Sequence, residues 1–245
     1  MADALFAVPR LAAIYDVFDG DRADLAAYAA MAAEFGARSV LDIGCGTGAL
    51  GCLLAAHGLS VTGLDPAAAS LAVARAKPLA DQVRWVHGTV SALPPLRVDL
   101  VTMTGNVAQV FLGDAEWAAV LSAAFAALRP GGRLVFETRV PEREAWRAWD
   151  RTVERADIPG VGVVEVRAEL TGVRGEVVSF RRTYRFESDG AVLVSDSTLR
   201  FRSRTAVADS LAAAGFTVDE VRDAPDRPGL ELVFVARRGE DASDG

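Results

Sequence analysis

The segment Val40-Leu41-Asp42-Ile43-Gly44-Cys45-Gly46-Thr47-Gly48 constrains the fold more than any other part of the chain. An apolar run ends in three alternate glycines, and residues of helical character follow over Thr47–His57. A strand that turns so abruptly into a helix needs positions that tolerate positive φ, and bare glycine backbone also lets a ligand approach where a Cβ would collide. A second apolar run, Ser60–Leu64, ends at Asp65, twenty-one residues after Gly44. Strand, glycine turn, helix and strand in that order make a βαβ unit, which belongs to a parallel sheet with helices on its faces.

The same grammar continues. Asp24–Phe35 has helical composition and precedes a strand over Arg38–Ile43. Pro66–Lys77 is a helix with proline in its first turn. Gln82–His87 and Val98–Met103 are the third and fourth strands, and Asp114 is the expected N-cap of a helix reaching Leu128. Arg129–Gly132 breaks that helix before a fifth strand, Arg133–Thr138. Beyond it the pattern changes. Glu142–Arg151 reads as a short helix, and Thr152–Arg204 holds three or more strands. In Val178–Glu187 apolar and polar residues alternate with a period of two, and Ser188-Asp189-Gly190 is a hairpin turn. A helix over Ala206–Ala214, closed by Gly215, and strands Phe216–Arg222 and Leu230–Arg237 end the pattern. The expected organisation is a helical lid segment (1–37), an α/β domain built from 38–140 and 205–239, a helix-plus-antiparallel-β insert (141–204) and a disordered tail (240–245).

Composition narrows the partners. The 245 residues are 51% hydrophobic and 24% charged, ordinary for a globular chain, and no apolar run approaches the ~20 residues of a membrane span. A net charge of −7 argues against a nucleic-acid binder that works by neutralising phosphates. The opening MADALFAVPR lacks the basic and apolar regions of a secretory signal. Cys45 and Cys52 cannot make a disulfide framework, so a reduced, cytoplasmic chain is expected, with no metal site. Of 26 cationic residues, Lys77 is the one lysine.

A glycine turn followed by an acid at the end of the second strand is the pattern of an adenosyl cofactor site, the carboxylate of Asp65 accepting both ribose hydroxyls. Gly44, Gly46 and Ala49 also satisfy the dinucleotide pattern, so an NAD(P)-dependent oxidoreductase stays open on the glycines alone. Asp42 argues the other way, since its charge would lie beside a pyrophosphate yet suits a cofactor bearing an ammonium. No second mononucleotide-binding half follows the fifth strand, and no lysine lies beyond residue 77 to serve a Tyr-x-x-x-Lys pair.

With these residues in register, the chain resembles the class I S-adenosylmethionine-dependent methyltransferases. VLDIGCGTG is similar to their first motif, VTGLDP (Val61–Pro66) to their ribose-binding motif, and LRPGGRLVFET (Leu128–Thr138) to their turn into the fifth strand. The resemblance implies a doubly wound, mostly parallel seven-stranded sheet whose last strand is antiparallel, here with an antiparallel β insert after strand five. It implies S-adenosyl-L-methionine as cofactor and S-adenosyl-L-homocysteine as product. Asp42, Gly44, Cys45, Gly46, Thr47 and Gly48 would face the methionine portion, Asp65 the ribose and Pro66 the adenine. Where the family usually carries an aspartate for the adenine amino group this chain has Thr89, which shifts that contact to neighbours such as Val90 or Ser91. The insert and the pattern AAAGF…PGL (Ala212–Phe216, Pro228–Leu230) are further similar to small-molecule N-methyltransferases acting on amino sugars.

Methyl transfer from a sulfonium demands alignment and exclusion of water more than an acid or a base. The fourth strand leaves through Thr104, Gly105, Asn106 and Gln109, where this family lines the transfer site; the structural alternative is that Asn106 and Gln109 only satisfy loop backbone groups. For a hydroxyl acceptor, His87, Tyr15, and Glu137 or Asn106 are the candidates for proton handling, each also readable as structural. Arg139, Arg143, Arg147 and Arg151 recur every four residues, either as a solvated helix face or with Arg139 anchoring an anionic group of the acceptor. Trp146 either packs under the insert or walls an acceptor, and the insert either covers the acceptor pocket or pairs two copies in a homodimer. The expected activity is methyl transfer to oxygen or nitrogen of a small molecule, with a non-catalytic cofactor-binding module as the alternative outside enzymology.

Overall fold

The computed structural model of the chain describes residues 2–20 and 22–240. The strands of the first part are β1 (Ser39–Ile43), β2 (Ser60–Asp65), β3 (Val83–His87), β4 (Val98–Met103) and β5 (Leu128–Arg139). The insert supplies β6 (Thr152–Ile158), β7 (Gly162–Arg174), β8 (Val177–Phe186) and β9 (Val192–Arg200), and the chain ends on β10 (Phe216–Asp223) and β11 (Glu231–Arg238). Seven of them form one sheet in the order β10-β11-β5-β4-β1-β2-β3, in which β11 runs antiparallel between β10 and β5 while β1 to β5 are mutually parallel. The insert strands make a separate antiparallel sheet, β6-β7-β8-β9. The doubly wound sheet and the antiparallel insert are as the sequence predicts.

Burial on both faces explains the nearly unbroken apolar runs in the central strands. Consecutive residues divide between the faces: Leu41, Val101, Phe136 and Phe234 lie on one side, Val40, Leu100, Val135 and Val235 on the other. The first face is covered by Trp117, Val120 and Leu121 of α7 (Asp114–Ala127) and by Val207 and Leu211 of α8 (Arg204–Ala213). The second is covered by Leu25, Tyr28 and Met31 of α4 (Asp24–Glu34) and by Leu50 and Leu54 of α5 (Ala49–Ala56). Each such side chain contributes roughly 1.5–3 kcal/mol on burial, so truncating a fully enclosed one such as Phe136 is expected to cost about 3–5 kcal/mol.

The amino-terminal segment is different in kind. Three short helices, α1 (Ala4–Ala7), α2 (Pro9–Ala12) and α3 (Tyr15–Phe18), set Leu5, Leu11 and Ile14 against Val164, Val166, Tyr184 and Phe186 of the insert. Without that apolar cover, one face of the insert sheet would be wet.

Several local expectations need correction. Residues 142–151 do not form one α-helix: two 3₁₀ turns, Pro141–Arg143 and Ala145–Trp149, are separated by Glu144 at φ 45°. The four arginines therefore share no helix face. Arg139 ends β5, Arg143 donates to Gly229 O and Arg147 pairs with Glu144 at 2.6 Å. Gly113, not Asp114, caps α7, and Pro66 precedes the cap of α6 (Ala68–Arg75), which is Ala67. β5 begins at Leu128 and absorbs residues 129–132 as an irregularity in its pairing with β4. Of the expected tail, residues 241–245 lie outside the described residues. No helix among the described residues is long and apolar enough to cross a membrane.

Candidate active site

The glycine turn is pinned from below. Gly44 N and Cys45 N donate to Leu64 O at 2.8 and 3.1 Å, Gly46 N donates to Asp65 Oδ2 at 2.9 Å and Gly48 N donates to Cys45 O at 2.8 Å. The other Asp65 oxygen accepts from Ala67 N at 2.7 Å. Four amides of the turn are thus spent on the protein itself. A phosphate cradle works the other way, with such amides aimed at the anion. Asp42 lies beneath, wholly buried, with Oδ1 accepting from Thr102 Oγ1 at 2.8 Å. Burial pushes its carboxyl up to about 7, against the pull of the Thr102 hydroxyl and the Arg22 guanidinium. Burial also raises Asp65, opposed by its two backbone donors.

Above the turn opens a cavity of about 970 Å³. Its cofactor end is lined by Asp42, Gly44, Cys45, Gly46, Thr47, Asp65, Pro66, Thr89, Val90, Thr104 and Gly105, so most of the expected cofactor contacts are brought together. Its far end is closed by Phe6 and Tyr15 from the amino-terminal segment, Phe111 and Glu116 from around α7, and Asp196 and Thr198 from β9. The insert therefore borders this space. Asp3, Asp42, Asp65, Glu116 and Asp196 supply carboxyl groups to the lining, against one guanidinium, that of Arg22. Arg22 is itself held by Asp19 and Asp24 at 2.7 and 2.9 Å.

Other expected residues stand elsewhere. Gly48 does not line the cavity; a Cβ there would lie 2.5 Å from Trp85 and 2.8 Å from Ala74, so its glycine serves packing. His87 is exposed outside the cavity, its Nε2 3.1 Å from Pro66 O. Asn106, at φ 61°, donates its backbone N–H to Glu137 Oε1 at 2.6 Å and donates from Nδ2 to Glu231 at 3.2 Å. It faces a second cavity of about 70 Å³, shared with Tyr28, Glu137, Arg139 and Glu231, which touches the large one through Arg22 and Gly105. Burial and the neighbouring Glu231 push Glu137 up to about 8, against the Asn106 N–H. Arg139 donates to Gln109 Oε1 at 2.9 Å, lies 3.4 Å from Glu231 and stacks 4.8 Å over Trp149, while Trp146 packs edge-on against Phe201. Gln109, Arg139 and Trp146, named for the acceptor, do not line the large cavity. Tyr15 does reach the cavity, but burial and Asp19 hold its hydroxyl far above the usual tyrosine range, which makes it a hydrogen-bond donor and no base.

Sequence reasoning missed Asp3, Phe6, Arg22, Phe111, Glu116, Asp196 and Thr198. Arg22, framed by Asp19, Asp21 and Asp24, offered the best available cue, as an arginine in an acidic run ahead of the first strand. Asp196 and Thr198 fall on the solvent side of an alternating strand, and nothing local marks them.

Comparison with known proteins follows the geometry. Residues 40–132 match the family model described as a methyltransferase domain. Among curated relatives, the malonyl-[acyl-carrier protein] O-methyltransferase of Enterobacter lignolyticus is 33% identical over 142 residues, covering 56% of this chain and 54% of that protein. The chain thus spans about half the length of the curated relatives it matches. Among solved structures, a sugar N-methyltransferase from Streptoalloteichus superposes with a TM-score of 0.79 at 24% identity, over 98% of this chain and 96% of that one. An amino pentose methyltransferase from Micromonospora echinaspora, solved with S-adenosylmethionine bound, does so with a TM-score of 0.71 at 26% identity, over 92% and 96%.

Proposed function

We propose that this chain, a member of the class I S-adenosylmethionine-dependent methyltransferase family by its domain and its fold, transfers a methyl group from S-adenosylmethionine to nitrogen or oxygen of a small-molecule acceptor by in-line displacement. The acid-rich lining of the large cavity carries the reading: Asp3, Asp42, Asp65 and Glu116 face one guanidinium, with Asp196 paired to Arg181, over a glycine turn four of whose amides are already paired. Such a surface suits a cofactor with a sulfonium and an ammonium. A dinucleotide would bring its pyrophosphate against Asp42 with few loop donors to meet it.

When bound, the cofactor supplies a methyl group on a cationic sulfur. Asp42 and Asp65 place two carboxyl groups under the turn, and each keeps acceptor capacity beyond the donors it already holds. Gly46 leaves open space, with nothing within 4 Å of where its Cβ would be. Arg22 is the cation placed to face a carboxylate at the junction of the two cavities. Phe6, Val107, Val110 and Phe111 exclude water from the far end, which raises the benefit of holding a nucleophile about 3 Å from the reacting carbon. Asp3 and Glu116 at that end favour an acceptor with a basic nitrogen over a neutral hydroxyl.

The test is melting temperature with S-adenosylhomocysteine, NAD or NADP, followed by labelled methyl transfer to matched amine and hydroxyl panels. At about 100 times Kd a specific ligand adds roughly 2.7 kcal/mol, or on the order of 5–10 °C for a chain of this length. A shift with S-adenosylhomocysteine alone and label on an amine is expected. A shift with a dinucleotide overturns the cofactor, and binding without any turnover leaves a cofactor-sensing module.

A further inference from the structure

The amino-terminal segment contributes Ala2, Asp3, Phe6 and Tyr15 to the large cavity and is fastened on two sides. Toward the insert, Leu5 N donates to Ser195 Oγ at 2.9 Å and Arg10 pairs with Asp189 at 2.7 Å. Toward the sheet, Ser70 Oγ donates to Phe6 O at 3.1 Å, and Asp16 meets two partners at once. Thr47 Oγ1 donates to Asp16 Oδ1 at 2.5 Å, and Lys77 Nζ lies 2.6 Å from Asp16 Oδ2. Thr47 is buried between Gly46 and Gly48 and lines the cavity, so Asp16 joins the amino-terminal cover to the cofactor turn. Lys77 follows α6, and its side chain is 23% exposed. Among 26 cationic side chains it is the one lysine.

We infer that Lys77 is a positioning residue: its ammonium holds Asp16 on Thr47 and so keeps the amino-terminal cover closed over the cofactor turn. Both carboxylate oxygens of Asp16 are engaged, one by the turn and one by the ammonium, so removing the positive charge leaves a carboxylate held by a single hydroxyl. The consequence for ligand residence rests on the cofactor reading above; the closure of the cover does not.

A single lysine makes the charge separately addressable. An N-hydroxysuccinimide ester of acetic acid acylates the Lys77 amine and the chain's α-amine, and Lys77→Arg keeps the charge while removing the reactive side chain. Acetylated protein and Lys77→Met are expected to bind S-adenosylhomocysteine roughly twofold to fivefold more weakly than untreated protein, as for a partly exposed ion pair, with the change in the off-rate. Lys77→Arg is expected to keep its affinity both before and after the reagent, which separates the side chain from the α-amine. Hydrogen exchange without ligand supplies the independent arm, with residues 2–20 exchanging faster in Lys77→Met than in Lys77→Arg. Equal exchange in those two variants overturns the clamp. Faster exchange with no S-adenosylhomocysteine binding in any protein, Lys77→Arg included, keeps the clamp and overturns the cofactor reading instead.

Discussion

Asp65 does two jobs that a pair of substitutions can separate. Its carboxylate accepts from Gly46 N and Ala67 N, at 2.9 and 2.7 Å, in a side chain that is almost fully buried. Asp65→Asn keeps the shape but has one carbonyl oxygen, so one of those N–H groups would face an NH₂. Losing one charge-assisted bond costs about 1.5–3 kcal/mol. Part of that is offset because burial already disfavours the charged carboxylate. The net expectation is about 1–2 kcal/mol, or roughly 2–6 °C in melting temperature for a chain of this length. The ribose contact is lost separately, weakening S-adenosylhomocysteine by about 10- to 150-fold in titration calorimetry. Asp99 provides a matched control. At the start of β4 its Oδ2 accepts from the backbone of Arg38 and Ser39, both at 2.9 Å, and it does not line the cavity. Asp99→Asn can keep those two bonds on its carbonyl oxygen while its NH₂ meets Arg129, so it should lower the melting temperature through that lost ion pair and leave ligand affinity unchanged. Should the two variants lose affinity equally, the deficit would be one of folding and the ribose assignment would be wrong.

Glycine substitutions and pH give the remaining tests. Gly46→Ala meets open space and carries only the strain of φ 53°, about 1–2 kcal/mol, so it should fold and yet lose cofactor affinity by more than tenfold, as read by calorimetry. Gly48→Ala would drive a methyl into Trp85, so chemical denaturation should show a loss of at least 2 kcal/mol. Asp42 and Glu137, raised by burial to about 7 and about 8, hold protons in the folded chain that the unfolded chain releases near pH 4. The unfolded state therefore binds fewer protons between roughly pH 4 and 8, and stability falls as pH rises through that window, by on the order of 4 kcal/mol for Asp42. Melting curves from pH 5 to 8 should decline accordingly; Asp42→Asn and Glu137→Gln should each flatten the decline, and a rise in stability toward pH 8 would refute the protonated state of both.

What the sequence disclosed follows from the range of the forces involved. The parallel sheet was legible because doubly buried strands must be apolar throughout, and the glycine turn because positive φ at Gly44, Gly46 and Gly48 is written in residue type. The cofactor end of the cavity lies within one stretch of the chain, from Asp42 to Gly105, so motif spacing largely reaches it. The rest of the lining does not share that economy. It is assembled from residues near positions 3, 22, 116 and 196, which meet only after the cover has packed on the insert and the insert has met α7. Asn106, Gln109 and Arg139 do stand at the exits of β4 and β5, where the sequence places them. Their partners, Glu137 and Glu231, are set by the antiparallel return of β11, and that pairing turns them away from the large cavity.

The choice between cofactors turns on the same distinction. As residue types, Gly44, Gly46 and Ala49 serve a pyrophosphate as well as a sulfonium, because glycine records only that the backbone is bare. Which ligand that backbone can meet depends on where its N–H groups point, and here β2 decides. Leu64 O takes two of them and Asp65 a third, so these N–H groups are turned toward the second strand, and two buried acids line the cavity beside them. An acid at the end of β2 thus acts twice, as a ribose acceptor and as the group that withdraws an amide from any phosphate. Asp42 adds a second buried carboxyl group on the same side, and the two together line the floor of the cavity with acceptor oxygens suited to a ligand that brings positive charge.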